Sequence, residues 1–124
     1  MPFLEATAHS ILNKVLRNTD FTHSTGFKIS LHTTSPGSTG ANEVSGGSYA
    51  RQTVTFGAPS AKIVVASSTL EWVNMPTATV THVGLWSDST DPALWWTGTL
   101  SSERVVSSGN TFRLPSTSLT VTLT

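Results

Sequence analysis

The stretch NEVSGGSYARQTVTF, Asn42 to Phe56, decides the architecture. Its first half cannot hold regular structure, and its second half alternates as a strand does: Ala50, Gln52, Val54 and Phe56 against Tyr49, Arg51, Thr53 and Thr55. Between the halves, Gly46-Gly47-Ser48 opens a strand, whereas a phosphate-cradling loop needs Gly-Lys-Ser/Thr opening a helix. The glycines therefore read as backbone, supplying positive φ where a long loop enters a sheet. Arg51, beside Tyr49, reads as an outward side chain whose fork suits a carboxylate or a carbonyl, in its own chain or another.

The same period of two extends in both directions. Phe27-Lys28-Ile29-Ser30-Leu31-His32 has three apolar residues on one face and three polar ones on the other, the pattern of a half-buried strand. Residues 33–47, TTSPGSTGANEVSGG, form a turn-rich loop longer than most, so it is either functional or a contact surface. Further strands are expected at Ile63–Ala66, Thr69–Val73, Thr79–Trp86, Leu94–Leu100, Arg104–Val106 and Thr111–Leu114. The clearest is Leu119 to Thr124, apolar inward and Thr outward. Turn signals at Asn74-Met75-Pro76, Asp88–Pro92 and Ser108-Gly109-Asn110 separate them. About eight short antiparallel strands at this spacing predict an all-β sandwich or jelly-roll-like domain over 21–124.

Ahead of the strands stands one amphipathic helix within 1–20. It belongs to the same domain or forms an arm to another subunit. Leu4, Ala8, Ile11, Leu12, Val15 and Leu16 share a face, with Glu5, His9, Asn13 and Lys14 on the other. Pro2 suits its start, and Asn18-Thr19-Asp20 stops it. At about fifteen residues it is marginal alone in water, so it must dock.

Composition removes whole classes of function. The 124 residues carry a formal net charge of zero, with 11% charged, against a nucleic-acid binder that needs a basic field. Without cysteine there is no disulfide frame, thiolate metal site or thiol nucleophile. No apolar run is long enough for membrane insertion, and no secretory signal is visible, so synthesis in a cytoplasm is expected. Low charge with abundant Ser and Thr makes a neutral surface that can pack against copies of itself.

Reactive groupings are sparse. His9, His23, His32 and His82 show no HExxH-type spacing, although His32 and His82 could meet across a sheet. The carboxylates Glu5, Asp20, Glu43, Glu71, Asp88, Asp91 and Glu103 are scattered, and no GxSxG elbow exists. No catalytic residue, metal ligand or cofactor site is assigned. Trp86, Trp95 and Trp96 are the aromatic candidates for an interface or a host glycan. Trp95-Trp96 is expected to place adjacent indoles on opposite faces of a strand.

LHTTSPGSTGANEVSGGSYARQTVTFG, ATVTHVGLWSD, LWWTGTLSSERVVSSGNTFRLP and the closing LTVTLT resemble, over nearly the whole chain, a family of small tailed-bacteriophage virion proteins usually labelled tail fibre proteins. The resemblance implies a non-enzymatic virion structural protein made in the bacterial host. Without heptads or triplets for a shaft, the chain suits capsid decoration or cement, or a small head or tail appendage. The alternative is a receptor-binding fibre component that recognises host surface glycan through exposed Trp. Expected partners are itself, as a trimer or a lattice-imposed oligomer, and virion proteins such as the major capsid or tail proteins. Its expected interface comprises Leu4, Ile11, Leu12, Val15, Leu16, Asn42, Glu43, Tyr49 and Arg51.

Overall fold

The computed structural model describes residues 4–20, 26–87 and 92–122. The chain opens with α1 (Glu5–Arg17), followed by β1 (Phe27–His32), β2 (Gln52–Val54), β3 (Ile63–Val65), β4 (Leu70–Trp72) and β5 (Ala78–Ser87). After these come β6 (Leu94–Val106), β7 (Phe112–Leu114), a 3₁₀ turn at Ser116–Ser118 and β8 (Thr120–Thr122). Four strands form an antiparallel sheet in the order β2-β1-β5-β6, while β3 with β8 and β4 with β7 make two antiparallel ribbons. The protein is thus mostly β with one N-terminal helix. Pro2, His23, Asp88–Asp91 of the expected turn and the last two residues of the expected final strand lie outside the described residues.

α1 stops where its composition says it should. Asn18 takes the left-handed conformation at φ 51°, and its N–H caps the Asn13 carbonyl. Its start lacks a side-chain cap and hangs instead on β6. The Leu4 N–H donates to the Trp95 carbonyl at 3.2 Å, and the Thr7 hydroxyl donates to the same oxygen at 2.8 Å. The helix therefore docks through its first turn, with Thr7 buried.

The core is one apolar cluster. It joins Ile29, Leu31, Val80, Val83 and Leu85 of the sheet to Leu70, Trp72, Phe112 and Leu114 of the β4–β7 ribbon. Trp72 meets Phe112 edge-on, ring centroids 5.7 Å apart. Such burial is the main stabilising term for a chain with so few charges.

Two expectations change in β1 and β6. β1 is not half-buried, because Ser30 and His32 on its polar face are as fully buried as Ile29 and Leu31. Loop 33–47 folds back over that face. β6, expected as two strands, is one strand carrying two irregularities. Leu85 pairs with Trp96 and Trp86 with Leu94, which leaves Trp95 as an extra residue; farther on, Thr81 alone opposes Leu100 to Glu103.

Candidate functional site

The residues expected at an interface divide sharply once their contacts are followed. Glu43, Tyr49 and Arg51 turn inward to one another. Glu43 forms an isolated backbone bridge with His32, and its carboxylate accepts two bonds from Arg51, Nε at 3.0 Å and a terminal nitrogen at 2.8 Å. The Tyr49 hydroxyl donates to the same carboxylate at 2.7 Å and accepts the Leu31 N–H at 3.0 Å. Of the two readings open for Arg51, the intrachain carboxylate is the one realised.

A second polar chain lies behind this fork. The His32 Nδ1 sits 2.8 Å from the Ala41 carbonyl, which can only accept, so that nitrogen carries the proton. His32 Nε2 then accepts the Ser30 hydroxyl at 2.6 Å, and the Ser30 oxygen accepts the Trp86 indole N–H at 2.8 Å. The Ser30 hydroxyl also has the Gly84 carbonyl as an acceptor at 3.4 Å. Ser30 and His32 resemble a nucleophile and its base, yet both are 0% exposed, so no substrate reaches them. Their work is to satisfy a covered face of β1.

Trp86 links the two groups. The Arg51 guanidinium lies 3.7 Å above its ring, and Gly40 lies against the same indole. Gly40 has φ +80°, and a methyl placed on it would fall inside the ring's van der Waals envelope. Gly84 is needed for space of another kind: a Cβ there would stand 2.7 Å from the Ser30 hydroxyl. Only 8% of Trp86 is exposed, which leaves it no face for a sugar; of the three aromatic candidates it is structural.

Loop 33–47 is held by its own backbone. Thr33 N–H bonds Asn42 O, Gly40 and Ala41 N–H bond Pro36 O, and Val44 N–H bonds Leu31 O. Asn42 occupies φ 64°, and its side-chain amide donates to Ser35 O. Gly46 and Gly47 take φ +108° and +54° as expected of a loop entering a sheet, and Gly47 approaches the Asn74 carbonyl too closely for any side chain. This length of loop is a self-packed cover of the kind seen in Ω-loops.

Burial sets the pH response of this network. Desolvation lowers the His32 pKa below 6.5, because burial penalises the protonated ring more than its bond to the Ala41 carbonyl favours it. Burial raises that of Glu43, but the hydrogen bonds from Arg51 and Tyr49 outweigh it and hold the group below 4.5. Burial pushes the Tyr49 hydroxyl upward as well. Both lowered values make the unfolded chain bind protons first, so stability present above 6.5 and 4.5 is lost as pH falls through the two folded values. The melting temperature is expected to fall from neutral pH into the His32 range below 6.5, and more steeply below 4.5. A His32→Gln variant should lose the first of these phases; a wild-type melting temperature unchanged until Glu43 titrates would contradict the assignment.

Trp95 and Trp96 do not sit on opposite faces. The extra residue at Trp95 rotates its ring to the side of Trp96, and the two stack with centroids 5.8 Å apart and planes at 29°. Trp95 also meets Phe27 edge-on at 5.6 Å, and Trp96 packs on the core. Both are half-buried. His32 and His82 do face each other in the β1–β5 register, but His82 bonds Thr81, and no metal-holding cluster occurs among the described residues.

Of the expected interface residues Asn42 stays exposed in the loop, and the others that remain outward are on the helix. Leu4 and Ile11 are half-buried against their own subunit, whereas Leu12, Val15 and Leu16 are 53%, 72% and 74% exposed. Ile11, one turn before Val15, also lines an apolar groove of about 330 Å³ with Phe27, Phe56, Val64, Trp96 and Val121. A family model described as Podophage GP4 fiber I protein gp80 matches residues 2–122. No curated protein matches the chain.

Proposed function

Since this chain belongs to the podophage GP4 fiber I protein gp80 family and is a phage structural protein, we propose that it is a small, non-enzymatic fibre or tail appendage that enters the particle through α1. The observation that carries this reading is the run Leu12, Val15, Leu16, the one place where three large apolar residues stand exposed together among the described residues. Burying such a stripe against a neighbouring virion protein or a further copy of the chain yields roughly 1.5–3 kcal/mol per side chain. The polar network under loop 33–47 supports the reading indirectly, since its groups are spent on one another and serve rigidity. We read the sheet and the two ribbons as the two layers of a small antiparallel sandwich, a compact unit for repeated placement.

The test is the double variant Leu12→Asp, Leu16→Asp, supplied in place of the wild type during particle assembly. Because both residues are exposed, its melting temperature should match that of the wild type within a few degrees. Its copy number in purified particles should fall to background. A double variant incorporated at the normal copy number would overturn the role of α1.

Capsid decoration is the competing assignment. It rests on the compact single domain, and it predicts binding of the isolated protein to empty heads at a symmetric copy number. Labelled protein seen only at the tail would remove it. Glycan recognition through Trp86 has lost its support with the burial of that ring.

A further inference from the structure

The long irregularity in β6 opens the molecule on one side. Opposite the single residue Thr81, the chain from Leu100 to Glu103 bulges, so Ser101 and Ser102 have no register partner on β5. Beneath this lip runs a groove of about 490 Å³ between β6 and the segment leading into β8. Its floor is apolar, from Val83, Leu114 and Leu119, and its rims carry the hydroxyls of Ser101, Ser102, Ser118 and Thr120.

Arg104 supplies the charge. It pairs in register with Val80 and so shares that face of the sheet, where it lines the groove while staying exposed to solvent. Among the described residues no carboxylate lines the groove and Arg104 has no ion-pair partner. A cation between two rows of hydroxyls over an apolar floor is complementary to one kind of ligand. The guanidinium fork takes a carboxylate, the hydroxyls take ring hydroxyls, and the floor takes the C–H face of a pyranose.

We propose that this groove is a binding site for a carboxylate-bearing saccharide, with Arg104 holding the carboxylate. The site is remote in sequence from α1 and does not depend on how the chain enters the particle, so the two ideas fail separately. A neutral sugar leaves the guanidinium unanswered, and an acidic peptide leaves the hydroxyl rims unused.

The experiment is calorimetric titration of the full chain with tetragalacturonate, with maltotetraose and a tetraglutamate peptide as controls. Tetragalacturonate is expected to bind and the other two to bind at least tenfold more weakly. Arg104→Gln should weaken tetragalacturonate at least tenfold while leaving the melting temperature unchanged, and Arg104→Lys should retain part of the affinity. Absence of tetragalacturonate binding at millimolar concentration would overturn the proposal. So would equal binding of maltotetraose, preferential binding of tetraglutamate, or unchanged affinity in Arg104→Gln.

Discussion

Replacing Gly40 by alanine should lower the unfolding free energy by about 3 kcal/mol or more, from overpacking against a fixed ring together with strain at positive φ. The added methyl would meet the six-membered ring of Trp86, and that ring has nowhere to go. Its surroundings include the Arg51 guanidinium at 3.7 Å, and its N–H is tied to Ser30 at 2.8 Å. Gly37 supplies the control within the same loop: it has φ +59°, but nothing lies within 4 Å of the place a β-carbon would take. Gly37→Ala should therefore lose only the backbone preference, about 1–2 kcal/mol. Urea unfolding of both variants measures the difference. Equal losses would mean that Trp86 is not clamped as described.

The second large effect is expected at Glu43. Truncation to alanine removes the acceptor of two Arg51 bonds and of the Tyr49 hydroxyl, and it leaves Arg51 over Trp86 without its counter-charge. For hydrogen bonds to a charged group the loss would be about 2–3 kcal/mol, set toward the lower figure because the pair keeps 22–27% side-chain exposure. Coupling should be visible in a double-mutant cycle with Arg51→Ala, at about 1 kcal/mol or more. The damage should also be local. Amide exchange should quicken in loop 33–47 well before it does in the core strands, because the lost carboxylate fastens the loop to the sheet. Strict additivity, or uniform acceleration throughout, would show that the fork is incidental.

Much of the fold is legible because strand and helix periods differ so plainly. The expected segments beginning at Ile63, Thr69 and Thr111 each contain a strand, Thr79–Trp86 lies within one, and α1 ends at the asparagine that its composition marks. Register is what the sequence hides. The alternation in FKISLH shows which residues share a face, but not that a loop will cover the polar one. The cover shows only in the structure, where Val83 to Ser87 on the neighbouring strand is a continuous buried run. Trp95 escapes simple alternation for the same reason, since one extra residue in a ladder reverses the side on which its neighbour's ring lies. The chemistry of Arg51 and Tyr49 marks them as a pair. Their partner is Glu43, expected at an interface and found as the inward acceptor that holds them.

The family assignment and the geometry meet at α1, whose docked first half and bare second half suit an element completed by a neighbour. Amide hydrogen exchange over residues 12–17, compared between the free protein and intact particles, tests that claim most directly. Strong slowing in the particle, with the core strands unchanged, is the predicted result. Identical exchange in the two states would show that nothing covers Leu12, Val15 and Leu16 in the assembled virion, and the account of how this chain is held there would be wrong.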